Sequence, residues 1–465
     1  MSHFVEHFVL KVQELSGQGK YQEISNMITT SPMGLMPSQI SMNVLDNALE
    51  TFNDYRHSLG VLHILTLKYN QFSPNDDFEL LFRQTKSFLE SCCKEQVKCA
   101  VDPFCDLCHR FTAAMVERGD RRRAVPLLLT AIDRLQSSPS DLTEIHGDLC
   151  QLCLLSKWFE PALRFLDVDI TNVVRGKAKY AAKGFLLYFY YGGMIYTALK
   201  KYDKALFFFE AAITVESVVV SHIMLEAYKK HILLSLITKG KVEPLPKWTS
   251  SVVERFAHQI SKVYHDLDSV YASNSVNHVR DFCANHAEQF ARDGNTGLIK
   301  QCIASISRKN IKKLTKTFLT LSLSDVAQRC NLSSAREAER HLVNMIEDGE
   351  IYATINQRDG MVLFKDSPNK FDDPDCFLEL EQKMRRYMDV ADKVKKLSEN
   401  IQVDPLFINK VGANEEEGAA GPGPGSVSNK LRSGSLERRT ALNPPGRSAD
   451  SDPLFQYLGS TTEWY

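Results

Sequence analysis

The sequence predicts an all-α solenoid of tetratricopeptide-like helical repeats, then a winged helix with a small β-sheet, a C-terminal helix and a disordered tail. Four observations indicate this. Residues 1–297 show paired helices with small and aromatic residues at repeat spacing, and residues 298–366 show the element order of a winged helix. A long 3-4 apolar spacing fills residues 374–403, and residues 411–465 become polar and rich in Gly, Pro and Ser.

The clearest repeat is a helical hairpin in which small residues let two helices approach and aromatic residues fill the gaps. Its positions are Gly193, Tyr196, Tyr202, Ala205, Phe209 and Ala212. Weaker copies are predicted at Arg121/Ala124/Leu128/Ala131, at Phe159/Ala162/Leu166 and at Val242/Leu245. The copies are unequally spaced, which is typical of a degenerate solenoid.

Two further helical patterns complete the repeats. The aromatic runs 188–191 and 207–209 resemble a base-stacking platform, but few Lys or Arg residues interleave with them, which favours core between hairpins. Beyond residue 246 the helices continue, with one apolar stripe predicted at Phe256, Ile260, Tyr264, Leu267 and Tyr271. Asp293, Gly294 and Asn295 interrupt the helical pattern just before the winged helix.

The winged helix is predicted from its turns and caps. Leu319, Leu321 and Leu323 alternate with polar residues as in a strand, and a short helix follows. Ser334 and Glu337 form a capping box for a second helix, whose apolar stripe is Ala338, Leu342, Met345 and Ile346. Gly349 ends this helix, and Asp359-Gly360 predicts a hairpin between a strand at 351–355 and a strand that contains Met361 and Leu363.

The charges of this region argue against DNA reading. The second helix carries Arg336, Arg340 and His341 beside four acids, whereas groove binding needs a net positive surface. The acids are Glu337, Glu339, Glu347 and Asp348. The preceding helix is more basic, with Arg308, Lys309, Lys312, Lys313 and Lys316. Such a stripe is more often a solvated helix face than a polyanion site. A nucleic-acid-binding winged helix therefore stays an alternative, and no nucleic acid is expected.

A linker around residues 366–375 leads into the C-terminal helix. Its apolar seam has 3-4 spacing through Phe377, Leu380, Met384, Tyr387, Ala391, Val394 and Ile401. Two alternatives are open: the seam binds partner helices, or the helix folds back on its own winged helix.

Cysteine usage does not indicate a metal or haem centre. The two CxxC pairs, Cys105/Cys108 and Cys150/Cys153, lie in helical patterns, where this spacing places two small side chains on one core face. A zinc site is the weaker alternative, and haem attachment at Cys105–His109 is weaker still. No cofactor is expected.

Composition and motifs argue against an enzyme and a membrane protein. The 465 residues carry 56 Lys and Arg against 57 Asp and Glu, and no long uncharged apolar run or signal core is present. No HExxH motif, phosphate-binding glycine loop or GxSxG motif occurs. A soluble, intracellular, non-catalytic protein is expected.

Helical hairpins that lead into a winged helix resemble the PCI family, shared by the proteasome lid, the COP-nine signalosome and the translation initiation factor three complex. Four runs, at 190–206, 221–236, 309–323 and 345–364, are most similar to signalosome members of this family. The resemblance covers residues 1 to about 405 and does not extend to the tail.

The resemblance implies a scaffold subunit in the cytoplasm and nucleus. Its complex removes the ubiquitin-like modifier NEDD8 from cullin-RING ubiquitin ligases, which would be indirect partners. Direct partners would be other PCI subunits of a large hetero-oligomer, joined through winged-helix sheet edges and a C-terminal helical bundle. The predicted edge is formed by residues 319–323 and 361–364, and the predicted bundle helix begins near Phe377. PCI scaffolds of the proteasome lid or the initiation factor complex are the alternative.

Overall fold

The computed structural model describes residues 2–30, 41–72, 77–174, 181–217, 219–366, 374–405 and 408. The predicted tail and most of the predicted linker therefore lie outside the described residues. The chain divides into two compact units. The first contains the described residues up to 313 together with 327–333, and the second contains 314–326 and the described residues from 334 onward.

The first unit is a succession of helices with one very short parallel strand pair. In chain order its elements are α1 (Ser2–Gly17), α2 (Tyr21–Thr30), α3 (Met42–Thr51), α4 (Ser58–Gln71), α5 (Phe78–Ser91), α6 (Lys94–Cys99), α7 (Val101–Arg118), α8 (Arg121–Leu135), β1 (Asp141–Leu142), α9 (Ile145–Ser156), α10 (Glu160–Leu166), β2 (Asn172–Val173), α11 (Ala181–Ala198), α12 (Tyr202–Ile213), α13 (His222–Lys239), α14 (Ser251–Ile260), α15 (Lys262–Ala272), α16 (Val276–Asn285), α17 (Ala287–Arg292) and α18 (Thr296–Thr315), whose last two residues fall in the second unit.

The second unit holds a winged helix and a long helix. Its elements are β3 (Thr320–Ser322), α19 (Leu323–Arg329), α20 (Ala335–Glu347), β4 (Tyr352–Asn356), β5 (Met361–Lys365) and α21 (Pro374–Val403), and the end of α19 falls in the first unit. The predicted fold class, helical repeats followed by a winged helix with a small sheet and a C-terminal helix, is confirmed.

The hairpin of α11 and α12 shows why the predicted repeat has glycines. A Cβ atom at Gly193 would lie 2.8 Å from the Phe209 ring, and one at Gly192 would lie 2.7 Å from the Phe208 ring. Only glycine, which has no side chain, lets α11 and α12 approach each other this closely. Tyr196, Ala205, Phe209 and Ala212 are buried in the same core, as predicted.

Three predictions in the repeats are wrong. Val242 and Leu245 do not begin a helix, because Pro244 and Pro246 lie on either side of Leu245 and α14 starts only at Ser251. Phe256 and Ile260 are exposed: α14 ends before Ser261, and its buried side is formed by Val253 and Ala257 instead. Phe207 of the predicted aromatic core is also exposed, since it lies on the outer side of α12.

The local signals of the winged helix are confirmed. The Ser334 hydroxyl accepts a hydrogen bond from the Glu337 amide, and the turn before it uses Asn331 with a φ of 52°. Gly349 and Gly360 have φ of 69° and 62°, the left-handed values that the end of α20 and the hairpin require. The inner side chains of this unit are buried: Leu321, Val326, Leu342, Met345, Val362 and Phe364.

The sheet has the strand order β3-β5-β4, and both pairings are antiparallel. The predicted edge is therefore wrong in part. Residues 361–364 lie on β5, the central strand, so both sides of their backbone are already paired. Strand β3 is also shorter than predicted: Leu319 precedes it in a bend and is exposed, and Leu323 begins α19.

Candidate assembly surfaces

Helix α21 presents the largest exposed apolar surface of the second unit. Every predicted seam residue is exposed: the exposed fraction of the large side chains runs from 53% for Leu380 to 73% for Tyr387, and Ala391 is exposed as well. The alternative that this helix folds back on its own winged helix is therefore wrong for the chain on its own. The ion pairs Glu379–Lys383 and Glu381–Arg385, both at 2.6 Å, support the helix along its length.

The apolar face of α21 is wider than the predicted seam. Three more apolar side chains are exposed on it, Met388, Val390 and Leu397, whereas Leu378 and Val403 are exposed on the opposite side of the helix. At the helical rotation of about 100° per residue, the apolar side chains other than Leu378 and Val403 cover roughly half of the circumference. A search for one 3-4 stripe misses the extra positions; a helical projection would have found most of them. A face this wide has room for more than one neighbouring helix.

The free edges of the sheet belong to β3 and β4. The Phe364 amide donates to the Leu319 carbonyl at 2.8 Å, so Phe364 turns its backbone groups toward β3. Since backbone groups alternate sides along a strand, Leu363 turns toward β4 and pairs with Thr354. The neighbouring residues of β4, Ala353 and Ile355, therefore point their N–H and C=O groups outward. This edge was not predicted, because the order of strands depends on non-local pairing.

Met361 and Leu363, the remaining residues of the predicted edge, lie on the outer face of the sheet. Met361 and Leu363 project from the central strand and are 38% and 44% exposed. Across the strands, Leu363 is flanked by Thr320 and Thr354. These two apolar side chains therefore form a small open sheet face rather than an edge.

A groove of about 630 Å³ opens at one end of this sheet, where β3 and β4 begin and β5 ends. Its lining mixes the starts of both edge strands with charged side chains of both signs: Thr315, Lys316, Thr317, Phe318, Leu319, Gly349, Glu350, Ile351, Tyr352, Lys365 and Asp366.

The basic stripe of α18 is partly used inside the protein. The Lys309 ammonium donates to the Gly240 carbonyl at 2.8 Å, at the C-terminal end of α13, and lies 4.6 Å from the centre of the Tyr271 ring. Partial burial and the nearby Lys313 lower the pKa of Lys309. A lysine that satisfies a helix carbonyl is a structural side chain. Lys309 is therefore not part of a solvated face, whereas Lys312, Lys313 and Lys316 are exposed, as expected of a solvated helix face.

The CxxC pairs occupy the core, as the packing interpretation predicted. Cys105 and Cys108 are buried in α7, and Cys150 and Cys153 are buried in α9. Burial raises the pKa of Cys153 to about 12, which keeps the thiol protonated at neutral pH. His109, which follows Cys108, hydrogen-bonds Asp148 through Nδ1 at 3.1 Å.

No cluster of three or more His, Cys, Asp or Glu side chains suited to a metal ion occurs among the residues that the structure describes. Among the helices described, none combines the length and the apolar character needed to cross a bilayer.

Comparison with known proteins agrees with this architecture. Residues 18–253 match the family model for the N-terminal helical repeats of COP9 signalosome complex subunit 3, and residues 280–366 match the PCI domain model. The chain is 41% identical over 433 residues to COP9 signalosome complex subunit 3 of Drosophila melanogaster, covering 90% of this chain and 96% of that one. It is 36% identical over 376 residues to the Dictyostelium discoideum protein of the same description, covering 80% and 89%.

Proposed function

Because the chain belongs to the COP9 signalosome subunit 3 family, we propose that it is a non-catalytic scaffold subunit of that complex. In this proposal the complex removes NEDD8 from cullins, and the chain holds neighbouring PCI subunits in place. Cullin-RING ligases are partners of the whole complex rather than of this chain alone. The cytoplasm and the nucleus are the proposed locations, and they rest on the family resemblance.

The observation that carries the proposal is the exposed apolar face of α21. Burial of an apolar side chain stabilises by about 1.5–3 kcal/mol, so six of them contribute about 9–18 kcal/mol, which is comparable to the roughly 4–15 kcal/mol or more that association costs. A monomer that leaves such a face in water carries an aggregation liability. Partner helices that cover the face would remove that liability and supply binding energy.

The free edge of β4 supports the same function by a different interaction. Ala353 and Ile355 offer backbone groups that a strand of another subunit can pair with. A helical face gives apolar contact area, whereas a strand edge fixes register through hydrogen bonds. The two surfaces together would bind a neighbour and set its orientation.

The proposal is tested by assembly of the complex with and without this chain. Co-expressed with the other signalosome subunits, the chain should be recovered in stoichiometric amount by native mass spectrometry. That complex should release NEDD8 from a cullin, and the purified chain alone should not. The proposal is wrong if the isolated chain releases NEDD8, if the complex forms and works equally without it, or if it is recovered only with proteasome lid or initiation factor subunits.

A further inference from the structure

Helix α13 is buried on nearly all sides and yet carries charged side chains. Glu226, Lys229 and Lys230 each expose 7% or less of their surface. Lysine and glutamate are almost never this buried unless they are paired, because an isolated charge loses its hydration. The partners of these three side chains therefore show which parts of the chain the charges hold together.

The charges of α13 pair with one another, and the second lysine charge is balanced by Asp293 in a distant part of the chain. The Lys229 ammonium contacts Glu226 Oε1 at 2.7 Å and Asp293 Oδ1 at 2.9 Å. The Lys230 ammonium lies 3.5 Å from Glu226 Oε2 and 5.4 Å from the centre of the Tyr190 ring in α11. Lys229 thus joins α13 to Asp293, 64 residues further on.

Asp293 and Asn295 extend the network into α15. The Tyr264 hydroxyl donates to Asp293 Oδ2 at 2.7 Å and accepts from Asn295 Nδ2 at 2.9 Å. Gly294 between them has a φ of 66°, a left-handed turn that separates α17 from α18. Both carboxylate oxygens of Asp293 are used, one by Lys229 and one by Tyr264.

The members of this network lie in different modules of the chain. Tyr190 and the charges of α13 fall within the helical-repeat match, residues 18–253, whereas Asp293 and Asn295 fall within the PCI match, residues 280–366. Tyr264 lies in the segment between the two matches. All of these residues belong to the first compact unit.

We infer that this network is a charged joint, which holds the helical repeats and the first helices of the PCI module, residues 280–313, in one fixed arrangement. Apolar surfaces can slide by a fraction of an ångström at little cost. A buried ammonium that loses one of two carboxylates leaves charge unpaired, which costs far more. The charged joint therefore selects one geometry among those that the surrounding apolar contacts allow.

The test measures the distance between the two modules in the full chain. Glu117 in α7 and Lys300 in α18, both exposed, are replaced by genetically encoded amino acids that carry spin labels. Pulsed electron paramagnetic resonance then gives the distribution of distances between the two labels. The wild type should give one narrow distribution. Tyr264→Phe, which removes only the hydroxyl between Asp293 and Asn295, should broaden it or add a second distance.

Tyr196→Phe is the matched control. It removes a tyrosine hydroxyl that donates to an aspartate, Asp167, at 2.8 Å, but both residues lie within the repeats. It should lower the Tm by a few degrees, the same loss that we expect for Tyr264→Phe, and leave the distribution of distances narrow. Lys229→Met should broaden the distribution further; if this variant does not fold, Tyr264→Phe decides alone. A Tyr264→Phe distribution identical to wild type, or equal broadening by Tyr196→Phe, would overturn the inference.

Discussion

At the scale of single residues, two glycines determine how closely α11 and α12 approach. Gly192→Ala would place a Cβ atom 2.7 Å from the Phe208 ring and 2.8 Å from Leu166. Both neighbours are buried, so neither can move without disturbing others. Overpacking of this kind costs about 1–3 kcal/mol. We expect the free energy of unfolding, measured by urea denaturation, to fall by about that amount.

Gly17→Ala is the control for this substitution, since no atom lies within 4 Å of its Cβ position at the end of α1. It should be neutral or stabilise by up to about 1 kcal/mol through helix propensity. Partial recovery of Gly192→Ala by a second change, Phe208→Leu, would confirm the steric cause. Equal loss in both glycine variants would contradict it.

Buried histidines make the stability of the chain sensitive to acid. Burial lowers the pKa of His63 to about 4 from 6.5, and His146 and His231 are lowered to about the same value. The pKa of each ring is lower in the folded than in the unfolded state. The free energy of unfolding is therefore undiminished above about pH 6.5 and decreases as the pH falls toward 4. For one such ring the loss between pH 7 and pH 5 is about 2 kcal/mol.

His63→Leu should therefore flatten the decline of the unfolding free energy between pH 7 and pH 5 by about 2 kcal/mol. The buried ring lies beside Phe8, so an apolar replacement suits the site. His278→Leu, at an exposed position of α16, should leave the pH dependence unchanged. If His63→Leu leaves the slope as steep as wild type, His63 is not buried in its neutral form.

At the scale of elements, α21 and its apolar face carry the assembly prediction. Met384→Asp with Ala391→Asp places two charges in the middle of that face, where a partner helix would have to bury them. Incorporation into the complex should fall at least tenfold, corresponding to about 1.4 kcal/mol or more. The Tm of the free chain should not change, because both positions are already in water.

Lys396→Asp is the matched control for α21. It changes the net charge by the same two units but lies on the opposite side of the helix. Incorporation measured by pull-down with the neighbouring subunits should stay at the wild-type level. If the control and the double variant fail alike, charge rather than the apolar face explains the loss.

The β4 edge gives an independent prediction. Ala353→Pro removes an N–H that points away from the sheet, and proline is tolerated at such positions of edge strands. The folded chain should keep its Tm but lose pairing with a neighbouring strand. Thr354→Pro removes an N–H that pairs with β5 and should lower the Tm instead. Unchanged assembly by Ala353→Pro would exclude strand addition at this edge.

Local signals made much of the second unit predictable. Ser334, Gly349 and Gly360 each act through one cap or turn, and such signals do not depend on distant residues. Strand order, in contrast, depends on distant residues. The sequence pattern therefore predicts Met361 at an edge of the sheet, although β5 is the central strand. Leu319 and Leu323 were assigned to a strand because alternation does not show where a strand ends.

In the repeats, spacing alone was a weaker guide. The pattern at Gly193 succeeded because glycine and aromatic positions complement each other across the hairpin. The pattern at Val242 and Leu245 failed because two prolines prevent the helix there. The charged joint could not be predicted, since Lys229 and Asp293 are far apart in sequence and only the fold brings them together.

At the scale of the whole molecule, folding and assembly should be separable. The winged-helix core lies before residue 366, and α21 contributes no buried seam residue. A chain that ends at residue 373 should therefore keep its cooperative unfolding and its Tm, measured by calorimetry, but join neighbouring subunits weakly or not at all. A chain that lacks only residues 412–465 should assemble normally. The opposite pattern would assign assembly to the tail instead of α21.

The strand order β3-β5-β4 also has a consequence during synthesis. Strands β3 and β4 leave the ribosome first, but neither pairs with the other, so each waits for the strand between them. The sheet can close only after Lys365 has emerged, because both β3 and β4 pair with β5. A nascent chain arrested before Met361 would expose two unpaired strands, a state that chaperones bind and proteases remove.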